Sequence, residues 1–305
     1  LLDDIDLLAV AGEQWSMDKV NKGELTPMFF GSAMTNFGVR GFLEEYLRLA
    51  PAPQPRMSSD GLISPEDEKF SGFIFKIQAN MNPAHHDRLS FIRICSGKFE
   101  RGMSVYHMQG GKAVKLSQPQ QFLAQDRQII DTAYPGDIVG LFDPGIFGIG
   151  DTLCMPSHKF KFADFPVFPP ERFARVSAKD TKKRKQFIKG IMQLTQEGSV
   201  QLFQQAGAGM ESYNVGTVGQ LQFDVLEYRL KSEYNTEIVM NMQPFEVARW
   251  LRFKDNRPVT PESLRGADRG MFVYDMKDRP VLLVNNEWAL GWIQDNNPDL
   301  EMFPV

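Results

Sequence analysis

The sequence predicts a multidomain protein, mainly β plus α+β: the end of an α/β domain, a small β-barrel, and a ferredoxin-like βαββαβ domain with a C-terminal extension. Three observations support this. A helical apolar period over Val39–Ala50 follows an apolar segment and a tight turn. Short strand patterns separated by Gly, Pro and Asp fill Arg88–Asp151. From Arg172 onward, strand patterns alternate with two amphipathic helix patterns.

The predicted domain boundaries follow these changes of pattern. Pro51, Pro53 and Pro55 end the first part, because proline cannot continue a helix. The predicted segments are an α/β remnant at 1–52, a linker at 53–67, the barrel at 68–158, a connector at 159–171, and the ferredoxin-like domain with its extension at 172–305.

The first part is predicted to be mainly helical. Leu1–Val10 has the pattern of an amphipathic helix stopped by Gly12, and Ser16 is a suitable cap for a second one. Pro27–Phe30 is predicted as a strand that leads into the small residues of Gly31–Ala33. Because the chain opens inside a helical pattern and without Met, we expect it to be the C-terminal part of a longer protein.

The later elements are predicted from the spacing of apolar residues and from the positions of Gly and Pro. Lys69–Asn80 is a long apolar strand pattern that contains Gly72, and Phe160–Pro170 is predicted to be extended and packed. The βαββαβ order comes from six segments, namely strand Arg172–Ser177, helix Asp180–Glu197, strands Val200–Phe203 and Tyr213–Val218, helix Gly219–Tyr234, and strand Thr236–Met242. Beyond the next strand pattern, Phe245–Phe253, we predict a short helix near Pro261, strands Met271–Tyr274 and Val281–Val284, a helix over Glu287–Asn296, and no internal repeat.

Composition limits the function. The 305 residues carry a formal net charge of −4, which disfavours a general nucleic-acid binder and leaves room for local contacts. We find no run of about 18 apolar residues, so no membrane span is predicted. Cys95 and Cys154 both lie in apolar strand patterns, which indicates buried thiols in a reducing compartment.

Several motif matches are better explained by structure than by chemistry. Gly110-Gly111-Lys112 lies between strand patterns and lacks a following Ser or Thr, so it predicts a hairpin turn rather than a phosphate-binding loop. Asn21-Lys22-Gly23-Glu24 has Glu where a guanine-binding box needs Asp. His85-His86-Asp87 has no second ligand pair at a suitable spacing, and we predict surface loop residues rather than a metal site. We predict no catalytic residues and no metal ligands.

Two signals remain as candidate sites. Gly31-Ser32-Ala33 could bring backbone amides close to a flat base, although for the tripeptide by itself a simple tight βα turn is the favoured explanation. One basic cluster precedes and enters a predicted helix, where its charge opposes the helix dipole and favours an external anion, although a solvated helix face is an open alternative. Its members are Lys179, Lys182, Lys183, Arg184, Lys185 and Lys189.

Four longer segments resemble a known family. The barrel phrases RICSGKFERGM and YPGDIVGL look like the second domain of translational GTPases. More specific are GELTPMFFGSAMTNFGV, LAPAPQPR, KFSGFIFKIQANMNPAHHDRLSFIRICSGKFERGM and VGTVGQLQFDVLEYRLKSEYN. Together they closely resemble the bacterial class-II release factors, the release factor 3 family, from about Leu1 to Arg252. Residues Asp255–Val305 fit the family only loosely.

The resemblance implies an architecture and a role. Residues 1–52 would be the remnant of a GTPase domain, the barrel would be domain II and the βαββαβ unit domain III. Ser32 and Ala33 would contact a guanine base, with the phosphate loop and the other nucleotide boxes upstream. The intact protein would bind GTP or GDP with Mg²⁺, whereas this chain would be no enzyme and hold no cofactor. The implied partners are the small-subunit rRNA and protein of the bacterial ribosome and, functionally, class-I release factors, for a cytoplasmic monomer.

Two alternatives stay open at this point. The chain could come from a relative of elongation factor G or of ribosome-protection GTPases. It could also be a protein-binding module without an RNA role.

Overall fold

The computed structural model describes residues 2–79, 88–117, 119–123, 126–165, 167–205 and 212–304. The chain divides into two compact units, Leu1–Pro55 and Arg56–Val305. The first contains helices α1 (Leu2–Ala11), α2 (Met17–Asn21) and α3 (Val39–Leu49). The side chain of Ser16 accepts a hydrogen bond from the Lys19 amide and caps α2 as predicted.

The predicted strand over Pro27–Phe30 is wrong. Among the described residues this segment pairs with no other strand, and an isolated β-bridge forms just after it, between Ser32 and Phe37. A single extended segment without a neighbouring strand cannot form a sheet. In the described part of this unit no side chain is buried, so the unit has no core of its own.

The second unit begins with a curled antiparallel sheet. Its main order is β7-β6-β12-β3-β4-β11-β8-β9, and two small ribbons, β1-β2 and β5-β10, complete it. The strands are β1 Arg56–Ser58, β2 Gly61–Ile63, β3 Ser71–Ala79, β4 Arg88–Ser96, β5 Phe99–Glu100, β6 Ser104–His107, β7 Lys112–Lys115, β8 Gln120–Leu123, β9 Asp126–Ile129, β10 Thr132–Ala133, β11 Ile138–Phe142 and β12 Thr152–Cys154. The edge strands β7 and β9 do not pair with each other in the described chain, so the predicted β-barrel takes the form of a curled half-barrel sheet.

The core of the half-barrel consists of side chains from one face of the central strands, along which buried and exposed residues alternate. Ser90, Ile92 and Ile94 are buried on one face of β4, while Arg93 is exposed on the other. Gly110-Gly111 forms the β6-β7 hairpin turn as predicted, with Gly111 at φ +64°. The segment expected to be a linker contains the β1-β2 hairpin, and Ser58 forms a bridge with Phe162 of the connector.

The rest of the chain forms an α/β domain on a second eight-stranded antiparallel sheet. The order is β16-β13-β15-β14-β18-β19-β17-β20. The elements are β13 Arg172–Ala178, α4 Arg184–Gln196, β14 Gln201–Gln205, β15 Ser212–Thr217, α5 Gln220–Tyr234, β16 Ile238–Gln243, β17 Val247–Phe253, β18 Met271–Asp275, β19 Pro280–Val284, α6 Glu287–Asn296 and β20 Leu300–Phe303, with 3-10 turns at Thr181–Lys183, Pro261–Ser263 and Ala267–Arg269.

The first four strands have the order predicted for a ferredoxin-like domain. Numbered within the unit, the sheet order is 4-1-3-2, with α4 and α5 as the two helices. Phe187 and Ile191 of α4 and Phe223 and Leu226 of α5 pack on the sheet in one core.

The predicted C-terminal extension repeats the strand order of the ferredoxin-like half. When β17 to β20 are numbered 1 to 4, their order in the sheet is 2-3-1-4, which is the order 4-1-3-2 read from the opposite edge. Strand β14 pairs with β18 and joins the two halves. Two 3-10 turns lie between β17 and β18, at the position that α4 has in the ferredoxin-like half, and α6 lies at the position of α5. The prediction of no internal repeat is therefore wrong at the level of topology, because a shortened helix hides the repeat from sequence patterns.

Candidate functional site

The loop Gly31–Ala33 lies beside a small cavity in the first unit. The cavity has a volume of about 390 Å³ and is lined by this loop together with Phe30 and Phe42. The Ser32 amide donates to the Phe37 carbonyl oxygen at 2.9 Å, so it is already engaged. Ala33 is exposed, and its backbone is the better placed of the two predicted groups to meet a ligand.

This loop fits at most the edge of a base. A nucleotide's phosphates need several backbone amides or cations, and a magnesium ion needs carboxylate or hydroxyl oxygens. Within the described residues, no group of three or more His, Cys, Asp or Glu side chains could hold a metal ion. His85, His86 and Asp87 lie outside the described residues.

The basic cluster divides into two sets in the structure. Lys179 pairs with Glu237 at 3.1 Å, at the edge of the sheet. The ammonium of Lys183 donates to the backbone oxygen of Asn235 at 2.6 Å and to its side-chain oxygen at 3.1 Å. Asn235 is the left-handed residue that ends α5, so Lys183 completes the cap of that helix. These two lysines therefore have structural partners.

The second set projects into solvent from the start of α4. Lys182, Lys185 and Lys189 are exposed, and in the described part of the chain no acidic side chain pairs with their ammonium groups. Arg184 is exposed beside them. Lys185 and Lys189 are four residues apart and lie on one face of the helix. Since the helix N-terminus already carries partial positive charge, this surface attracts anions.

The half-barrel has a second candidate surface that sequence analysis missed. Phe142 is 51% exposed and Ile138 is 45% exposed on the outer face of β11. Arg93 lies opposite Ile138 on β4, and the Lys76 ammonium lies 5.6 Å from the centre of the Phe91 ring. Exposed aromatic rings interleaved with cations suit stacked bases and phosphates. Residues 138–142 are all apolar or glycine, so the sequence shows no alternation that would have marked this face.

Two buried ionic groups connect the half-barrel with α4. Arg88, at the start of β4, forms an ion pair with Asp143 at 2.8 Å and also donates to the side chain of Gln196 at the end of α4. Glu197 accepts a hydrogen bond from the Ala79 amide at 2.9 Å. The half-barrel and the α/β domain are thus joined by polar contacts as well as by the polypeptide connection between them.

The two thiols differ in environment. Cys154 is buried, while Cys95 is half-buried, which is less than predicted. Burial raises the pKa of the Cys95 thiol to about 11 and also raises the pKa of Cys154. Neither thiol is suited to nucleophilic chemistry. Among the described helices none is long and apolar enough to cross a membrane.

Comparison with known proteins places this fold in a class. Residues 69–156 match the family model of elongation factor G domain 2, which identifies the half-barrel as a translation-factor domain. A solved structure of a Thermus thermophilus protein shares the fold with a TM-score of 0.56 at 19% identity, covering 81% of this chain and 36% of that one.

The particular family follows from the second domain. Residues 162–294 match the family model of the class II release factor RF3, C-terminal domain. The chain is 51% identical to peptide chain release factor 3 of Symbiobacterium thermophilum over 98% of its length, and 50% identical to that of Listeria welshimeri over 99%. The chain belongs to the release factor 3 family. It spans 56% of each of these two relatives.

Proposed function

We propose that this chain is the ribosome-docking part of a peptide chain release factor 3, a GTPase that promotes the dissociation of class-I release factors after peptide release. The intact protein would bind GTP or GDP with Mg²⁺ in the cytoplasm, through residues other than those described here. The exposed apolar side chains of the first unit, such as Phe30 and Met34, are suited to pack against the remainder of an α/β domain.

The observation that carries the proposal is the set of exposed lysines at the start of α4. A helix gains stability from acidic groups in its first turn, yet the first turn of α4 has none and instead contains the exposed cations Arg184 and Lys185. Such an arrangement costs the isolated protein a few tenths of a kcal/mol and is offset when the lysines meet phosphate. We infer that Lys182, Lys185 and Lys189 contact rRNA, and that the Phe142 face of the half-barrel forms a second RNA contact.

The test is co-sedimentation with bacterial 70S ribosomes at several salt concentrations. The Lys185→Glu/Lys189→Glu variant should bind more weakly, with the slope of log K against log [salt] reduced by about 1.5, because each of the two lost phosphate contacts removes about 0.7–0.9 from that slope. Folding should be preserved, since glutamate near a helix N-terminus favours the helix dipole.

A matched control applies the same change of charge elsewhere. Lys112 and Lys115 are exposed on the edge strand β7, and Lys112→Glu/Lys115→Glu should leave the slope nearly unchanged. Equal slopes for the wild type and the α4 variant would contradict the RNA role of this surface. That outcome would favour the alternative of a protein-binding module.

The proposal also predicts no measurable guanine-nucleotide affinity for this chain by itself. Of the two groups predicted to contact a base, Ser32 already donates its amide to Phe37 and the backbone near Ala33 remains, and a base edge without phosphate contacts supplies little binding energy. Micromolar GTP binding in isothermal titration calorimetry would contradict this.

A further inference from the structure

Arg88 is a buried cation that belongs to the half-barrel and reaches the α/β domain. Its side chain is 9% exposed. Nε donates to the Asp143 carboxylate and Nη2 to the Phe147 carbonyl oxygen, each at 2.8 Å, while Nη1 donates to the side-chain oxygen of Gln196. Two of the three contacts therefore fix the guanidinium within the half-barrel, and the third holds the end of α4.

The half-barrel orients this cation without help from α4. The Asp143 side chain is fully buried. Its second oxygen accepts backbone amides from Gly145 and Ile146 at 2.8 Å each, and Ser90 donates its hydroxyl to the oxygen that contacts Arg88. A carboxylate with this many donors has one orientation. The contact point for α4 is thus preorganised.

Glu197, directly after α4, is the second link and the more central one. Its side chain is 5% exposed, and one oxygen accepts the amide of Ala79 at the end of β3. The guanidinium of Arg229 on α5 contacts both of its oxygens and also pairs with Glu233 at 2.6 Å. Burial alone would lower the pKa of Arg229, but the hydrogen bonds that it donates to Glu233 and Glu197 raise that pKa. One buried carboxylate thus joins β3, α4 and α5.

The contacts with Arg88 and Arg229 also place cations at the C-terminal end of α4. Its last turn contains no Lys or Arg of its own, although cations are favourable at that end of a helix. Arg88 from the half-barrel and Arg229 from α5 supply the cations instead. The basic surface lies at the opposite end of the same helix, and its 13 residues extend about 20 Å. A rotation of about 10° at the anchored end would therefore displace the backbone at Lys185 by about 3 Å, a whole hydrogen-bond length, and that at Lys189 by about 2 Å.

We propose that Glu197 is a positioning residue that fixes α4 on the half-barrel, so that the α4 lysines and the Phe142 face meet RNA as one rigid surface. This inference rests on the proposed function for its RNA target. The rigid connection itself is independent of that target.

Residual dipolar couplings of backbone amides test the connection directly. In the wild-type chain one alignment tensor should fit both the half-barrel and the α/β domain. Glu197→Gln keeps the shape but removes the charge and turns an amide donor toward either Ala79 or Arg229. We expect two different tensors in this variant, and a single common tensor would overturn the proposal.

Glu233→Gln is the matched control. It also removes one carboxylate partner of Arg229, but this partner lies four residues further along the same helix, so the pair is local to α5. We expect this variant to retain one tensor. Separation of the tensors in both variants would mean that Arg229 pairing in general, rather than the link through Glu197, holds the domains, and would overturn the role given to Glu197.

Ribosome co-sedimentation separates this inference from the proposed function. Glu197→Gln should bind about tenfold more weakly if the binding-competent orientation falls to about a tenth of the population, with an unchanged salt slope because the phosphate contacts remain available. Separate tensors with unaltered binding would overturn the positioning role. Unaltered binding of Lys185→Glu/Lys189→Glu, with tensors that separate in Glu197→Gln, would instead overturn the RNA surface and leave the rigid connection standing.

A second variant covers the case in which Glu197→Gln does not fold. Gln196→Ala removes the α4 partner of Arg88 while every carboxylate keeps its cation. We expect a folded protein in which the half-barrel and the α/β domain require two different tensors. One common tensor in this variant, with Glu197→Gln unfolded, would overturn the positioning role in favour of a purely stabilising one.

Discussion

Gly190 lies in the contact between α4 and α5 and provides a sharp test of the packing of the ferredoxin-like half. A β-carbon added there would lie 2.7 Å from Leu230 Cδ2 and 2.8 Å from Tyr234 Cγ. Leu230 is fully buried, and the Tyr234 hydroxyl donates to the Gln193 side chain at 2.9 Å. Because both neighbours are held in place, the added methyl group cannot be accommodated by a simple side-chain rotation.

The expected effect of Gly190→Ala is a difference of two terms. Alanine in a helix interior is favoured over glycine by about 1 kcal/mol. Overpacking of a close-packed core costs about 1–3 kcal/mol. We therefore expect a net decrease of about 1 kcal/mol in the free energy of unfolding. Urea denaturation followed by circular dichroism at 222 nm measures it, with the slope m unchanged.

Gly291→Ala is the matched control for this prediction. Gly291 is exposed in the middle of α6, and no described atom beyond its own helix backbone and its chain neighbours lies within 4 Å of the position of an added β-carbon. We expect this variant to gain about 0.5–1 kcal/mol, because only the helix propensity changes. If Gly190→Ala were stabilised as much as Gly291→Ala, the close helix contact inferred from the structure would be wrong.

Two further predictions follow from titratable groups. Burial would raise the pKa of Asp275, but hydrogen bonds from the Trp250 indole and from Arg279 lower it below its ordinary value of 3.8. The contribution of the Asp275 carboxylate to the free energy of unfolding is therefore present above that ordinary value and is lost as the pH falls through the lower folded pKa. Thermal melts from pH 7 to pH 3 should show a smaller acid-induced loss of stability for Asp275→Asn than for the wild type. Equal losses would contradict this. Cys95 and Cys154, whose pKa values are raised by burial, should react with Ellman's reagent at pH 8 far more slowly in the native protein than in guanidinium chloride, and rapid labelling of both native thiols would refute their assignment as inert.

The elements with strong periodicity were predictable from the sequence. Helix α6 occurs over the predicted residues Glu287–Asn296, and α3 ends one residue before the predicted end. The ferredoxin-like strand order followed from the sequence of strands and helices, because few connections satisfy a βαββαβ chain. The family resemblance was also carried by local phrases of sequence.

Elements that depend on distant partners were not predictable. The strand predicted at Pro27–Phe30 lacks a partner among the described residues, whereas the β1-β2 hairpin and β20 formed where no strand was predicted. Short strands take their stability from neighbours rather than from local propensity. The topological repeat of the α/β domain was hidden because two 3-10 turns replace its first helix, so that the repeat is recognised from the order of β17 to β20 in the sheet.

The sequence by itself determined that one basic cluster stands at the start of a helix. Tertiary structure decided which lysines are available, because Lys183 reaches Asn235 across 52 positions in the chain. It also decided how that helix is held, through pairs such as Arg88 with Gln196 and Ala79 with Glu197, which are 108 and 118 residues apart. Charge and periodicity are local properties of a chain, whereas the desolvated pairing of two charges or polar groups exists only after folding has brought them together.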